Sequence, residues 1–246
     1  MQCPKCGFEQ NDVRAECGRC GLIFRKYQKK SEVVQPDRNE PVVAEPEPQD
    51  IGSFLKQLLF EVQPGINPFY FYGRVLLFIV LLIWGGIFIF SSIESNRAMN
   101  SLWHLVNLPF HEAGHIFFRF FGAFMASLGG SLFQLLMPVI CAIVLLVKTR
   151  DNFGAAVCVW WLGENFMDLA PYINDARALQ LPLLGGNTGE SSPYGFHDWE
   201  YLLTETGWLP YDHFIAHLSY GIGTFCMLLA FAWGGYILFR QHQNLE

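Results

Sequence analysis

Charge is scarce in this chain. Only 15% of its 246 residues are Asp, Glu, Lys or Arg, against 52% apolar and 16% aromatic, a balance foreign to ordinary water-soluble domains. Eight of the sixteen Lys and Arg residues fall within residues 1 to 38, and after residue 75 only Arg97, Arg119, Lys148, Arg150, Arg177 and Arg240 remain. A net charge of −6 gives no global attraction for nucleic acid. The opening MQCPKCGFEQ lacks the apolar core of a secretory leader, so the N-terminus is expected to stay in the cytoplasm. A disulfide framework is missing as well. Four of the seven cysteines stand as two close pairs, Cys3/Cys6 and Cys17/Cys20, while Cys141, Cys158 and Cys226 are solitary in apolar runs, where a thiol packs as a small hydrophobe.

The two pairs lie in CPKCG and CGRCG knuckles. Four thiolates at such spacing suit one tetrahedral structural zinc, with Gly7 and Gly21 permitting the tight turns, so residues 1 to 30 are expected to form a zinc ribbon that includes a strand-like run from Leu22 to Tyr27. Residues 31 to 50 hold four prolines, many acidic side chains and no aromatic, the composition of a disordered linker. Residues 51 to 72 follow, where apolar positions recur at helical spacing beside Lys56 and Gln57, as in an interfacial amphipathic segment.

A membrane-embedded domain is expected over 73 to 240, with 241 to 246 as a tail. Five apolar segments suit a hydrocarbon core of about 30 Å: 73 to 93, then roughly 101 to 124, 131 to 147, 153 to 171 and 214 to 239. Five full crossings would put Lys148, Arg150 and Arg240 on the outer side, against the positive-inside rule. Letting the second segment enter and leave on one face removes the conflict and leaves the long Gly- and Pro-containing loop near 172 to 212 outside. The fold class expected is therefore mainly α, a polytopic helical membrane protein of four to six membrane segments with a small N-terminal zinc ribbon.

Within the second segment, His111, Glu112 and His115 form HExxH. Histidines at i and i+4 share one helical face and can bind one zinc, with the intervening Glu as general base. An ionised Glu in an apolar run costs about 2.5–3.5 kcal/mol on insertion scales, which disfavours a purely structural role. A third protein ligand is needed. Asp168, in NFMDLAP, is the first choice because it lies inside an apolar run. Asp175 lies past Pro171 and is expected nearer the surface, and His197 and Asp198 in GFHDW are reserves. His104 shares the face of His111 and suits a supporting or interfacial role. Gly129, Gly130, Ser131 and Gln134 are placed either to offer donors to a substrate or to pack helices closely.

These residues resemble the site-2-protease-like intramembrane zinc metalloproteases, whose hallmark is an HExxH helix within the membrane, often as HExGH. The resemblance covers roughly residues 100 to 175. It implies metal ligands His111 and His115, general base Glu112 and a third ligand at Asp168, although NFMDLAP lacks the family's usual glycine after the Asp. It implies hydrolysis of peptide bonds in or near the bilayer, with one catalytic zinc besides the structural one held by Cys3, Cys6, Cys17 and Cys20. The expected partners are a membrane protein or peptide substrate, the lipid bilayer and a cytoplasmic protein docked on the ribbon; nucleic acid is not expected. The setting implied is a prokaryotic inner membrane. The rival reading is a membrane-anchored adaptor with structural zinc and no catalysis.

Overall fold

The computed structural model describes residues 2–10, 15–24, 50–62 and 65–245. The chain divides into two compact units, Met1–Pro48 and Gln49–Glu246. The linker expected over 31 to 50 lies, apart from Asp50, outside the described residues, as does the end of the run expected from Leu22 to Tyr27.

The first unit makes one small turn twice. Cys3 N–H donates to Phe8 O and Gly7 N–H to Cys3 O, and the pattern recurs from Cys17 to Leu22 and from Gly21 to Cys17, all at 2.9 Å. Gly7 and Gly21 sit at φ of 70° and 68°, the left-handed region in which a Cβ is strained. Each turn is closed by a single bridge, Gln2 to Glu9 and Glu16 to Ile23. Ile23 therefore makes one bridge, and no strand forms among the described residues.

The second unit is helical: α1 (Ile51–Phe60), α2 (Pro68–Ile89), α3 (Leu102–Phe118), α4 (Ala123–Val144, prolonged by one wide turn, Leu145–Thr149), α5 (Asn152–Asn174), α6 (Asp198–Glu205) and α7 (Asp212–His242). Three segments are long and apolar enough to cross a membrane: Pro68–Ile89, Ala123–Thr149 and Leu209–His242. The other two expected segments differ for physical reasons. Helix α3 has 17 residues, about 25 Å of rise, and carries the polar motif. Helix α5 buries Glu164, Asn165 and Asp168 along with its apolar residues, as an interior helix enclosed by others does.

The expected break at Pro171 does not occur. Helix α5 runs through it, and Asp175 N–H still donates to Pro171 O at 3.0 Å, because proline removes only its own N–H from the ladder. Asp175 thus caps the helix and is buried rather than at the surface.

Contacts fix how the helices run. Arg74 pairs with Asp151 at 3.2 Å, joining the starts of α2 and α5. Phe71 stacks on His242, bringing the end of α7 to the same place. At the opposite end, Tyr220 OH donates to Ser91 O at 2.9 Å. After α2 the chain turns back inward: Ala98 joins a core of Leu81, Phe88, Trp160, Met167 and Met227, and Trp103 packs 5.2 Å from Trp160. Helix α3 therefore starts against the middle of α2 and α5. It then pairs with α4, where Gly114 and Gly129 bring the two backbones together; a Cβ on Gly114 would overlap Gly129 O.

Candidate metal centre

The face of α3 that carries His104, Leu108, His111, Glu112, His115 and Arg119 lines a cavity of about 920 Å³. Residues of α4 and α5 and the loop after α5, including Gln134, Asp168, Tyr172, Leu183 and Phe196, complete it. His111, His115 and Asp198 converge there, their ligand atoms all within 4.8 Å of one another. Asp198 Oδ2 lies 3.1 Å from His111 Nε2 and 3.4 Å from His115 Nε2. Metal–ligand bonds of about 2.0–2.1 Å in a tetrahedron set donors about 3.3 Å apart, so the donor set fits a small first-row cation.

The outer nitrogens are held as such a site requires. His111 Nδ1 faces Gln134 Oε1 at 3.0 Å, and His115 Nδ1 faces the carbonyl of Ala126 at 2.8 Å. Both acceptors draw the proton to Nδ1 and leave an Nε2 lone pair on the cavity side. Asp198 is also braced. Ser127 donates to its Oδ1 at 2.9 Å, and its own N–H donates to Tyr172 Oη at 3.0 Å. Gly130 lets α4 lie against the two imidazoles, since a Cβ there would sit 2.7 Å from both Nε2 atoms. Glu112 is half-buried on the same cavity wall.

Asp168, expected as third ligand, stands behind the centre instead. Its Oδ1 lies 2.9 Å from His104 Nδ1, and its Oδ2 accepts from Gln134 Nε2 at 2.9 Å and Asn107 Nδ2 at 3.1 Å. Those three hydrogen bonds hold it away from the pair of Nε2 atoms, and the carboxylate that reaches both histidines is Asp198, from the reserve pair. His197, the other reserve, is fully buried rather than an exposed loop residue; its Nδ1 accepts from Glu200 N–H at 3.1 Å, capping α6.

His197 Nε2 lies 3.5 Å from Asp175 Oδ2. Asp175 also accepts from Gln180 N–H and Leu181 N–H, each at 2.9 Å, pinning both ends of the loop. Burial opposes its charge, but His197 and those two amides outweigh burial and hold the carboxyl below its usual range. Of the small residues in α4, Gly129 serves helix packing, and Gln134 serves His111 rather than an open surface.

In the N-terminal unit Cys3, Cys6, Cys17 and Cys20 could hold a metal, consistent with a structural zinc ribbon. The Cys3–Cys20 and Cys6–Cys17 sulfur distances are both 3.7 Å, close to the edge of about 3.8 Å that tetrahedral Zn–S bonds of about 2.3 Å define. Backbone N–H groups of Cys20 and Arg19 bring the Cys17 thiol down to about 6, while at Cys6 the Phe8 N–H is outweighed by burial and the other three thiols, which raise it; a cation is what would let all four stand as thiolates.

The chain matches no protein-family model, no curated protein and no solved structure.

Proposed function

We propose that the chain is a membrane-embedded zinc metalloprotease, of the kind its HExxH helix resembles, acting on peptide bonds in or near the bilayer. The observation that carries this reading is the meeting of His111, His115 and Asp198, with both Nδ1 atoms satisfied by acceptors, on a cavity that Glu112 also lines. Zinc held by those three residues would supply Lewis-acid activation of water and of the scissile carbonyl. Glu112 takes the proton of the attacking water and returns it to the leaving amine. His111, His115 and Asp198 are held in place by Gln134, the Ala126 carbonyl, Ser127 and Tyr172, so little reorganisation is needed when substrate arrives.

The membrane setting rests on three helices of spanning length and on their outward apolar faces, with Leu76, Ile83, Phe225 and Leu228 all more than half exposed; contiguous apolar surface of this kind is foreign to water-exposed proteins. The inward return of the chain before α3 supports a second segment that enters and leaves on one face. Arg74, Lys148, Arg150 and Arg240 lie at or near the start of α2, the joint of α4 with α5 and the end of α7, the end of the bundle away from Asp198. That end carries four basic residues against Arg97, Arg119 and Arg177 toward the other, and the positive-inside bias makes it the cytoplasmic one. The four-cysteine ribbon then serves as a docking module for a cytoplasmic protein.

Two measurements test this. Elemental analysis of detergent-purified protein is expected to give two zincs per chain, falling to one in His111→Ala and to one in the Cys3/Cys6 double replacement. With single-span membrane peptides reconstituted beside it, Glu112→Gln is expected to keep both zincs and lose cleavage. One zinc, indifferent to His111→Ala, would put the adaptor reading in its place.

A further inference from the structure

We infer that Asp168 and Gln134 are positioning residues that set the tautomer of His111 and so make its Nε2 a ligand. The inference rests on reading His111, His115 and Asp198 as a metal site, and it follows from which groups can donate and which can only accept.

The chain of forced orientations begins at Trp161, whose indole N–H can only donate. It donates to Asn107 Oδ1 at 2.8 Å, so the Asn107 amide must turn its NH₂ the other way, where it meets Glu164 Oε2 at 2.8 Å and Asp168 Oδ2 at 3.1 Å. Asp168 Oδ1 stands 2.9 Å from His104 Nδ1 while its Oδ2 takes the Asn107 amide, and a carboxylate so placed accepts on both oxygens. The amide of Gln134 that faces it at 2.9 Å must therefore present its NH₂ as well, which sends Oε1 toward His111 Nδ1 at 3.0 Å. An amide oxygen cannot donate, so Nδ1 carries the hydrogen. A neutral imidazole has one N–H, so a metal bound among His111, His115 and Asp198 meets the Nε2 lone pair; without metal, Asp198 Oδ2 at 3.1 Å can accept from a protonated Nε2 in its place. If the Gln134 amide were reversed, the proton would move to Nε2 and the ligand would be lost.

His115 needs no such relay, because the Ala126 carbonyl is an acceptor in any state. His111 faces a side chain whose two ends differ by a flip, and Asp168 decides the flip. This gives the buried acid of α5 a task without contact with the metal.

The test separates relay from mere packing. Gln134→Met keeps volume and removes the amide, and Asp168→Leu frees the amide to turn. Each is expected to lower zinc affinity at the bundle site by about 10- to 100-fold, as loss of an outer-shell partner does. Asp168→Asn alone has an escape: its NH₂ can turn to His104, whose ring borders the cavity and can take the other tautomer, so near-wild-type affinity is expected.

Zinc affinity is read by chelator competition. The tautomer is read from ¹⁵N spectra of histidine-labelled, metal-free protein, with His111 assigned by its absence in His111→Ala. The expected result is a protonated Nδ1 on His111 in wild type and in Asp168→Asn, against Nε2–H alone, donated to Asp198 Oδ2, in Gln134→Met. An Nδ1–H that persists in Gln134→Met would overturn the relay. Because the tautomer is measured without metal, it decides the relay even where zinc counts unchanged by His111→Ala refute the metal site itself.

Discussion

Gly130→Ala tests the centre at its tightest point. The added Cβ would stand 2.6 Å from His115 Cε1 and 2.7 Å from the Nε2 atoms of His111 and His115, where ordinary van der Waals contact begins at 3.4 Å, so about 0.7–0.8 Å must be found. Neither ring can turn aside cheaply, because His111 Nδ1 is held by Gln134 and His115 Nδ1 by the Ala126 carbonyl. Parting α3 from α4 instead would open the Gly114–Gly129 contact. Either route displaces the donors from a shared metal, and we expect zinc affinity at this centre to fall by about 10- to 100-fold, the range for a ligand that loses its support. Helix propensity runs the other way, since Ala for Gly within a helix gains roughly 0.5–1 kcal/mol. Gly73→Ala, also helical and with nothing within 4 Å of its Cβ, isolates that gain. Chelator competition on both variants, with thermal unfolding alongside, gives the comparison. A Gly130→Ala protein that binds zinc as wild type does would refute the geometry of the centre.

Gly114→Ala should cost stability rather than metal chemistry alone, because its Cβ meets the Gly129 backbone, which cannot swing away; a loss of about 1–3 kcal/mol or more in denaturant titration is expected, and an unchanged midpoint would contradict the close packing of α3 on α4. Asp175 is held below its usual value, so it contributes stability above the unfolded carboxyl pKa and loses that contribution as pH falls through the folded one. Amide exchange at Gln180 and Leu181, corrected for its intrinsic pH dependence, should therefore quicken in wild type only in acid, whereas Asp175→Asn should show weak protection at every pH. Fully buried Asp212 is bound by Arg177 through Nε at 2.8 Å and Nη2 at 2.7 Å. Arg177→Met should lower the melting temperature more than the double change with Asp212→Asn, because the single change strands a buried charge; equal losses would refute that account.

The helices were the most legible part of the chain. Apolar runs placed α2 and α7 within about five residues, since long hydrophobic stretches have few ways to be satisfied other than as helices, whereas α4 starts at Ala123, eight residues before the expected 131. The segments that became α3 and α5 were found too, but their place was not. Whether an apolar run carrying Glu164 and Asp168 faces lipid or other helices depends on partners distant in sequence, and here those partners are Asn107, Gln134 and His104. Pro171 misled for a local reason: the residue signals a missing N–H, and nothing in the sequence says whether the ladder resumes after it.

The centre was half legible for a related reason. His111 and His115 are four residues apart, and helical geometry alone brings them together. The third donor stands 83 positions beyond His115, at the first residue of α6, and no periodicity reaches across a loop. The sequence offered three acids of equal chemistry, Asp168, Asp175 and Asp198, and polarity within an apolar run favoured Asp168. That criterion identifies a residue with a buried task without saying which. In the fold the task is to accept from Gln134, Asn107 and His104, which holds Asp168 apart from the His111 and His115 Nε2 atoms, whereas Asp198 has Ser127 on one oxygen and both histidines on the other. A signal did exist in GFHDW. His197 caps a helix that starts at Asp198, and an acid in the first turn, braced by the helix N-terminus, points its carboxylate back from the loop into the bundle. Read together with an HExxH helix still short of a ligand, that arrangement distinguishes Asp198, the candidate donor, from Asp168, whose partners are Gln134, Asn107 and His104.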